Sequence, residues 1–241
     1  MQLTSISYYT HQGKRDFQED HWSCGLNYLL VSDGVGGLAK GDKASEIVSS
    51  VTKSFLTNNP PGGHDIPAWA QNLTSAILQT LWEQVRENPE SHGLGATLAM
   101  VVQVEDQIYA IHIGDSRIYH FAADGTIKWV SKDHSFVQEL IDAGIITPEQ
   151  ATDHPKRNVI TRILQGKKDH QVKASVTQLK SVDNGDIIMV CSDGVLESWT
   201  NEGLSTLVSR MADTWKIICE IKKHCTEHSS DNNTAVVARI S

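Results

Sequence analysis

The chain has 241 residues, 21% of them charged, a formal net charge of −8 and Lys and Arg scattered along its length, a balance without the clustered basic footprint of a nucleic-acid binder. The longest strongly apolar stretch, residues 94–102, falls well short of the roughly 20 residues a membrane span needs. Met1-Gln2-Leu3-Thr4-Ser5 has no basic or apolar leader region, and four cysteines without CxxC spacing suit a reducing compartment, so a cytoplasmic protein with neither nucleic-acid nor membrane partners is expected.

Residues 3–9 alternate loosely and read as a first strand, followed by the polar turn His11-Gln12-Gly13. Lys14 to Asp20 is dense in charge. Taken alone it reads as a solvated turn, leading into a hairpin partner for the next strand. Leu29-Leu30-Val31-Ser32-Asp33-Gly34-Val35-Gly36-Gly37 is an apolar run that ends on a carboxylate and then three glycines within four residues. A buried strand thus delivers Asp33 to its end, and the glycines let the backbone turn sharply there. Ala44, Ile47, Val48, Val51 and Phe55 recur at helical spacing over residues 41–56, and residues 58–63 form a Pro/Gly-rich loop. A second helix is expected over 67–87, with Trp69, Leu73, Ile77, Leu81, Trp82 and Val85 on its inner face and both tryptophans in the core.

Residues 96–104, 107–113 and 117–121 read as strands, joined by a tight Glu105-Asp106 turn and followed by another strand after Gly125. Sequential strands on short turns predict an antiparallel meander. Residues 134–165 change character. A short amphipathic helix on Phe136, Leu140 and Ile141, a helix start at Thr147-Pro148-Glu149 and the polar stretch Asp153-His154-Pro155-Lys156-Arg157 predict an insertion lying over a site. Strands resume at 172–177 and 186–191, the second again an apolar run closing on Ser192-Asp193-Gly194. A helix over 214–228 and a strand over 234–240 complete the chain. The two similar strand endings lie near opposite ends of the sequence and have to meet to share a site, which favours one domain over two.

Asp33, Asp193 and Asp231, with Asp20, Glu19 and Asp115, are candidate metal ligands, because carboxylates and backbone carbonyls are the donors that magnesium and manganese prefer. Each Asp alone reads first as a strand-end or turn residue, a place Asp favours for its local hydrogen bonds. Asp33-Gly34, Asp193-Gly194, Gly114-Asp115 and Asp231-Asn232 repeat one grammar four times, and on the residues alone a shared cation site and coincidence both stand. Residues 34–39 fit the dinucleotide pattern G-x-G-x-x-A, but no acid stands near Ser54, where one would bind the ribose, and Asp33 would repel a pyrophosphate. His224-Cys225 opens a cysteine-phosphatase pattern that needs an arginine at 231, where this chain has Asp. His224 and His228, four apart on a helix, have the spacing of a chelate, but among eleven histidines they read as surface residues.

Taken together, the motifs resemble the metal-dependent protein phosphatases of the protein phosphatase 2C type, in a compact bacterial form. Gly13-Lys14-Arg15-Asp16-Phe17-Gln18-Glu19-Asp20 is similar to the family's G-x-R-x-x-N-E-D. Asp33-Gly34-Val35-Gly36-Gly37 matches D-G-x-G-G, and Gly95-Ala96-Thr97 matches G-x-T. Gly114-Asp115-Ser116-Arg117, Asp133-His134-Ser135, Ile160-Thr161-Arg162, Ser192-Asp193-Gly194 and Asp231-Asn232-Asn233-Thr234 follow in order. The resemblance spans essentially the whole chain. It implies an α+β fold, a four-layer αββα sandwich of two central antiparallel sheets flanked by helices, forming one catalytic domain over 1–241 with a flap at about 134–165.

The resemblance further implies a site for two Mn²⁺ or Mg²⁺ ions. Asp33 would bridge them, the Gly34 carbonyl would bind one, and Asp193 and Asp231 the other. Glu19 and Asp20 would hold bound waters, Asp115 with Asp193 would serve a third, weaker ion, and Arg15 would bind the substrate phosphate. The implied activity is hydrolysis of phosphoserine and phosphothreonine in proteins by direct attack of a metal-bridging water. A Ser/Thr protein kinase is the implied partner and a monomer the expected state. The alternative is a catalytically weak member acting as a phosphoprotein-binding regulatory module, which should lack one of Asp33, Asp193 or Asp231. Two departures stand out. Gln18 replaces the usual Asn, and Val35 stands where some relatives carry a histidine proposed as general acid.

Overall fold

The computed structural model describes residues 1–35, 40–62 and 65–241. Gly36 and Gly37 of the glycine-rich turn, Leu38 and Ala39 of the G-x-G-x-x-A stretch and Gly63 of the expected loop lie outside the described residues. β1 (Leu3–His11) comes first, and β2 (Asp20–Gly25) is the expected hairpin partner of β3 (Tyr28–Val35), with Asp20 directly opposite Asp33. α1 (Lys40–Asn58) and α2 (Ile66–Glu87) follow. Asp65 caps α2 by accepting the Ala68 N–H at 2.9 Å, and Pro67 sits in the first turn, where its missing donor costs nothing. After β4 (Gly95–Ala96) come β5 (Leu98–Val104), β6 (Gln107–Ile113), β7 (Arg117–Phe121) and β8 (Ile127–Val130). Two short helices, α3 (Phe136–Asp142) and α4 (Pro148–Thr152), precede β9 (Leu164–Gln165), β10 (Ser175–Gln178) and β11 (Ile187–Cys191). α5 (Asp193–Leu196), α6 (Asn201–Arg210), α7 (Thr214–His228) and β12 (Asn233–Ile240) complete the chain.

Among the described residues the strands form two sheets, one ordered β1-β12-β11-β7-β8 and the other β10-β6-β5-β3-β4-β9, with β2 paired to β3. Every recorded strand pairing is antiparallel. Successive side chains of a strand point to opposite faces, and here both faces of the central strands are covered. On β3, Tyr28 and Leu30 pack under α1 and α2 while Leu29 and Val31 face the other sheet; on β11, Ile187, Met189 and Cys191 pack under α6 and α7 while Ile188 and Val190 face inward. This double burial explains the unbroken apolar runs in the sequence. The result is the expected αββα sandwich.

Three expectations need correction. The strands over 96–130 do not form one meander: β5 and β6 pair in one sheet, whereas β7 and β8 pair in the other. The chain changes sheet at Gly114, whose φ of +107° would be strained for any other residue and whose missing Cβ leaves room for Thr97, at 2.6 Å from where it would stand. The strand expected over 172–177 is β10, and it begins only at Ser175. The helix α6 was not expected, although Thr200 caps it and Leu204, Leu207 and Val208 are its buried face. Polar residues between those apolar positions masked the period.

Candidate metal centre

Five chain segments reach the same end of the sandwich: the C-terminal end of β3, the start of β2, the crossover between β6 and β7, the start of α5 after β11, and the loop before β12. They carry Asp33, Asp20, Asp115, Asp193 and Asp231. Glycines make the close approaches possible. A Cβ on Gly34 would lie 2.1 Å from the Gly41 carbonyl oxygen, one on Gly194 would lie 2.0 Å from the Asn232 oxygen, and one on Gly13 would lie 2.1 Å from the Asp231 oxygen. The Gly34 carbonyl itself lies against Gly41 at the start of α1.

Asp33 is fixed through its backbone. Its N–H donates to Thr97 Oγ1 at 2.9 Å, and its carbonyl accepts from Thr97 N at 2.8 Å. Asp20 is almost fully buried; its Oδ2 accepts from Ser192 Oγ at 2.7 Å, while Oδ1 has no partner among the described residues. Asp115 Oδ1 is buried and unpartnered in the same way. Asp231 pairs with the Arg15 guanidinium and accepts the Asn232 N–H at 2.8 Å. Glu19 Oε1 accepts from Gly41 N at 3.1 Å.

Burial and mutual repulsion dominate the electrostatics. Burial, reinforced by the charges of Asp193, Asp20 and Asp115, pushes the Asp33 carboxyl well above its ordinary value, and it shares a hydrogen bond with Asp193. Burial lifts Asp193 to about 6, opposed by the Asp33 hydrogen bond and helped by Asp231 and Glu197. Asp20 is raised to about 7 by burial against the hydrogen bonds of Ser192 and Thr234, and Asp115 to about 8 by burial and the charges of Asp193 and Asp133. Burial also raises Glu19, in spite of the Gly41 N–H and the Arg15 charge. Acids gathered this way are costly as anions unless a cation joins them.

Among the described residues no three His, Cys, Asp or Glu side chains are drawn to ligand spacing around one point; Asp33 and Asp193 pair with each other, and Asp231 pairs with Arg15. The donor set nevertheless fits hard divalent cations. It is all oxygen, it is half-buried to buried, and it includes two carboxylate oxygens that no donor satisfies among the described residues.

Arg15, Asp115, Asp193 and Asp231 line a cleft of about 650 Å³, with Asp33 behind Asp193. Glu19 lies close enough to Arg15 and Asp231 to feel their charges, and Asp20 to Asp193 and Asp231. Other residues of the site were not singled out from the sequence. Glu197 Oε2 accepts from Ser230 N at 2.8 Å, Asp231 N at 3.1 Å and Ser229 Oγ at 3.0 Å, so it holds the loop that carries Asp231. Asn232 donates to the carbonyls of Gln12 and Phe17 and accepts from Glu19 N at 2.8 Å, which ties the Arg15 loop to the β12 end. Arg117 is pinned by a two-pronged contact with Asp133, both arms at 2.7 Å. A signal for Glu197 exists in its place four residues after Asp193, one helical turn away. His224 and His228 form no chelate: His224 is half-buried and contacts the Ser198 carbonyl at 3.1 Å, while His228 is exposed and lines the cleft rim. Gln18 retains an amide role, accepting from Asp20 N at 3.1 Å and donating to Thr10 Oγ1 at 2.7 Å. Val35 is partly exposed.

A family model described as protein phosphatase 2C matches residues 9–227. The serine/threonine protein phosphatase PstP of Mycobacterium tuberculosis is 33% identical over 224 residues, which cover 92% of this chain and 42% of PstP; the chain therefore spans less than half the length of that relative. A crystal structure of the M. tuberculosis serine/threonine phosphatase PstP/Ppp superposes with a TM-score of 0.89 at 30% identity, covering 100% of both chains. The structure of the PstP catalytic domain in complex with two manganese ions gives a TM-score of 0.86 at 29% identity, also over 100% of both chains.

Proposed function

The chain belongs to the protein phosphatase 2C family, and from that premise we propose that it is a Mn²⁺- or Mg²⁺-dependent serine/threonine protein phosphatase acting by direct attack of water, without a phosphoenzyme. The observation that carries the reading is the convergence of Asp33, Asp115, Asp193 and Asp231 at one cleft, together with the unpartnered carboxylate oxygens of Asp20 and Asp115. The relative crystallised with two manganese ions supports the same cofactor here.

In this proposal Asp33, the Gly34 carbonyl, Asp193 and Asp231 hold two ions, and Asp115 with Asp193 holds a weaker third. Ions in such a site supply a hydroxide-like nucleophile near neutral pH and neutralise phosphoryl oxygens. The chain's own groups do the rest. Glu19 and Asp20 accept hydrogen bonds from water at the centre and orient it. Arg15 leaves Asp231 to grip the phosphate, for which its planar donor fork is suited. With Val35 in place of a histidine, no side chain at that position donates a proton to the leaving alkoxide. Residues 134–165 act as a flap, since Thr152, Arg157 and Asn158 line the cleft. Phosphoproteins are the proposed substrates, with a Ser/Thr kinase opposing the enzyme in the cytoplasm. No described helix is long and apolar enough to cross a membrane.

The test is hydrolysis of a phosphothreonine peptide against added Mn²⁺, with chelator and Asp231→Asn as controls. Activity that rises with the metal, stops with chelator and falls sharply in the variant is the expected result. Metal binding without turnover in the wild type would overturn it in favour of a phosphoprotein-binding regulatory module.

A further inference from the structure

Beneath α3 and α4 a second cavity, of about 460 Å³, opens from the carboxylate cleft; Asp115, Arg117, Asp133, Thr152 and Arg157 line both. Its far wall is formed by Val137 and Ile141, one turn apart on α3, and by Pro148 and Ala151 of α4, with the amides of Gln138 and Asn201 beside them. No residue of α3 or α4 is fully buried, and neither helix contributes to the three hydrophobic core clusters. The chain's own packing thus leaves an apolar stripe, Val137, Ile141, Pro148 and Ala151, half-covered at the mouth of the reactive centre.

We propose that this cavity is a specificity pocket that receives an apolar side chain flanking the phosphorylated residue of a protein substrate. The proposal rests on the phosphatase reading above and adds what the substrate must look like. The occupant follows from continuity. An extended peptide advances at most about 3.3–3.6 Å per residue, so a chain whose phosphate reaches Asp193 carries its near neighbours past Asp115 and Asp133 into the second cavity. There Val137, Ile141, Pro148 and Ala151 offer apolar contact. Asn201 Oδ1 already accepts from Tyr119 OH at 2.9 Å, which leaves its amide hydrogens to bind a peptide carbonyl. Arg117 and Asp133 satisfy each other; Arg157 and Asp115 line the side shared with the cleft, whereas against Val137, Ile141, Pro148 and Ala151 a charged side chain loses solvation unpaired.

The experiment uses fluorescein-labelled phosphothreonine peptides with Leu, Gly or Asp placed in turn at each of the three positions on either side of the phosphothreonine. Anisotropy and kcat/KM are measured with the full chain in Mn²⁺, and rates are normalised to each variant's turnover of p-nitrophenyl phosphate. At one or two positions the wild type should prefer Leu over Gly by about tenfold, the scale of a small apolar contact in a pocket, and Leu over Asp; a preference for Asp, drawn by Arg157, would overturn the apolar occupant. Filling the cavity with Ala151→Trp, or charging its wall with Ile141→Asp, should bring the Leu-to-Gly ratio toward one. A wild type that ranks the peptides equally at every position, or variants that keep its preference, would overturn the pocket. If no phosphoester is hydrolysed, the phosphatase reading fails on its own, while anisotropy still decides whether the pocket selects Leu.

Discussion

The hydroxyls of Thr97 and Ser116 lie 2.7 Å apart in the buried seam between the two sheets. Thr97 also receives the Asp33 N–H, and Ser116 follows Asp115 directly. One hydroxyl pair therefore sets the relative position of two carboxylates, one on β3 and one in the crossover between the two sheets. Thr97→Val keeps the shape but leaves the Asp33 N–H and Ser116 Oγ unsatisfied, at a cost of about 1–3 kcal/mol. The expected outcome is a lower denaturation midpoint together with weaker Mn²⁺ binding by calorimetry. Lowered stability with unchanged metal affinity would show that the pair supports the fold alone.

Glu197 gathers the backbone amides of Ser230 and Asp231 and two serine hydroxyls onto one carboxylate. Burial pushes its pKa up and these donors pull it further down, for a net lowering. Glu197→Ala should therefore loosen the Asp231 loop and weaken metal binding roughly 10–100-fold, as loss of an outer-shell partner does. Glu197→Gln, which keeps one acceptor oxygen, should restore part of it. Titration calorimetry with Mn²⁺ on both variants separates this from a general loss of folding, and equal affinities for Ala and Glu at 197 would refute the role.

The legible and illegible parts of the site differ in range. Asp33 and Asp193 announce themselves because each closes an apolar run, and a glycine beside it marks a close backbone approach. Glu197 offers only its place one helical turn after Asp193, because the groups that define its role, two backbone amides and two serine hydroxyls, lie more than thirty residues away. The turn at Gly114 misleads for a related reason. Its glycine looks like a hairpin turn from the sequence, but whether the next strand pairs beside the last or joins the other sheet depends on what Thr97 and Ser116 do across the seam. α6 shows a third kind of gap, since its cap and apolar spacing are local, but only three of its ten residues are buried.

His134 and His112 stack with ring centroids 4.6 Å apart and nearly parallel planes. His134 Nδ1 accepts the Gly114 N–H at 3.1 Å, and burial, with the neighbouring His112 and Arg162, holds the His134 pKa down at about 3. Burial also lowers His112, against the Lys132 carbonyl and the Asp133 charge. A histidine depressed from its ordinary 6.5 adds stability that is whole above that value and is lost as pH falls through it toward 3. The lead of the wild type over His134→Gln in melting temperature should therefore shrink as pH falls from about 8 to about 5.5. A constant difference across that range would show that the native ring does not resist protonation.

The paired acids act in the opposite direction. A carboxyl raised from its ordinary 3.8 contributes stability that is whole below that value and is lost as pH rises through its folded pKa, about 6 for Asp193, about 7 for Asp20 and about 8 for Asp115. In chelator the group should therefore lower the melting temperature between pH 5.5 and 8. A cation that binds the folded chain at about one hundred times its dissociation constant adds about 2.7 kcal/mol, and in a chain of this size each kcal/mol is worth about 2–4 °C. Saturating Mn²⁺ should accordingly raise the melting temperature by about 5–10 °C at pH 8 and flatten its pH dependence. Asp33→Asn takes one ionisable acid out of the cluster and, on the proposed ligand set, a metal ligand with it. In chelator at pH 8 that variant should melt above the wild type, and Mn²⁺ should no longer raise it. If Asp33→Asn is destabilised in chelator and still gains the full increment with Mn²⁺, Asp33 is neither a source of the repulsion nor a ligand, and the centre must be built from other oxygens.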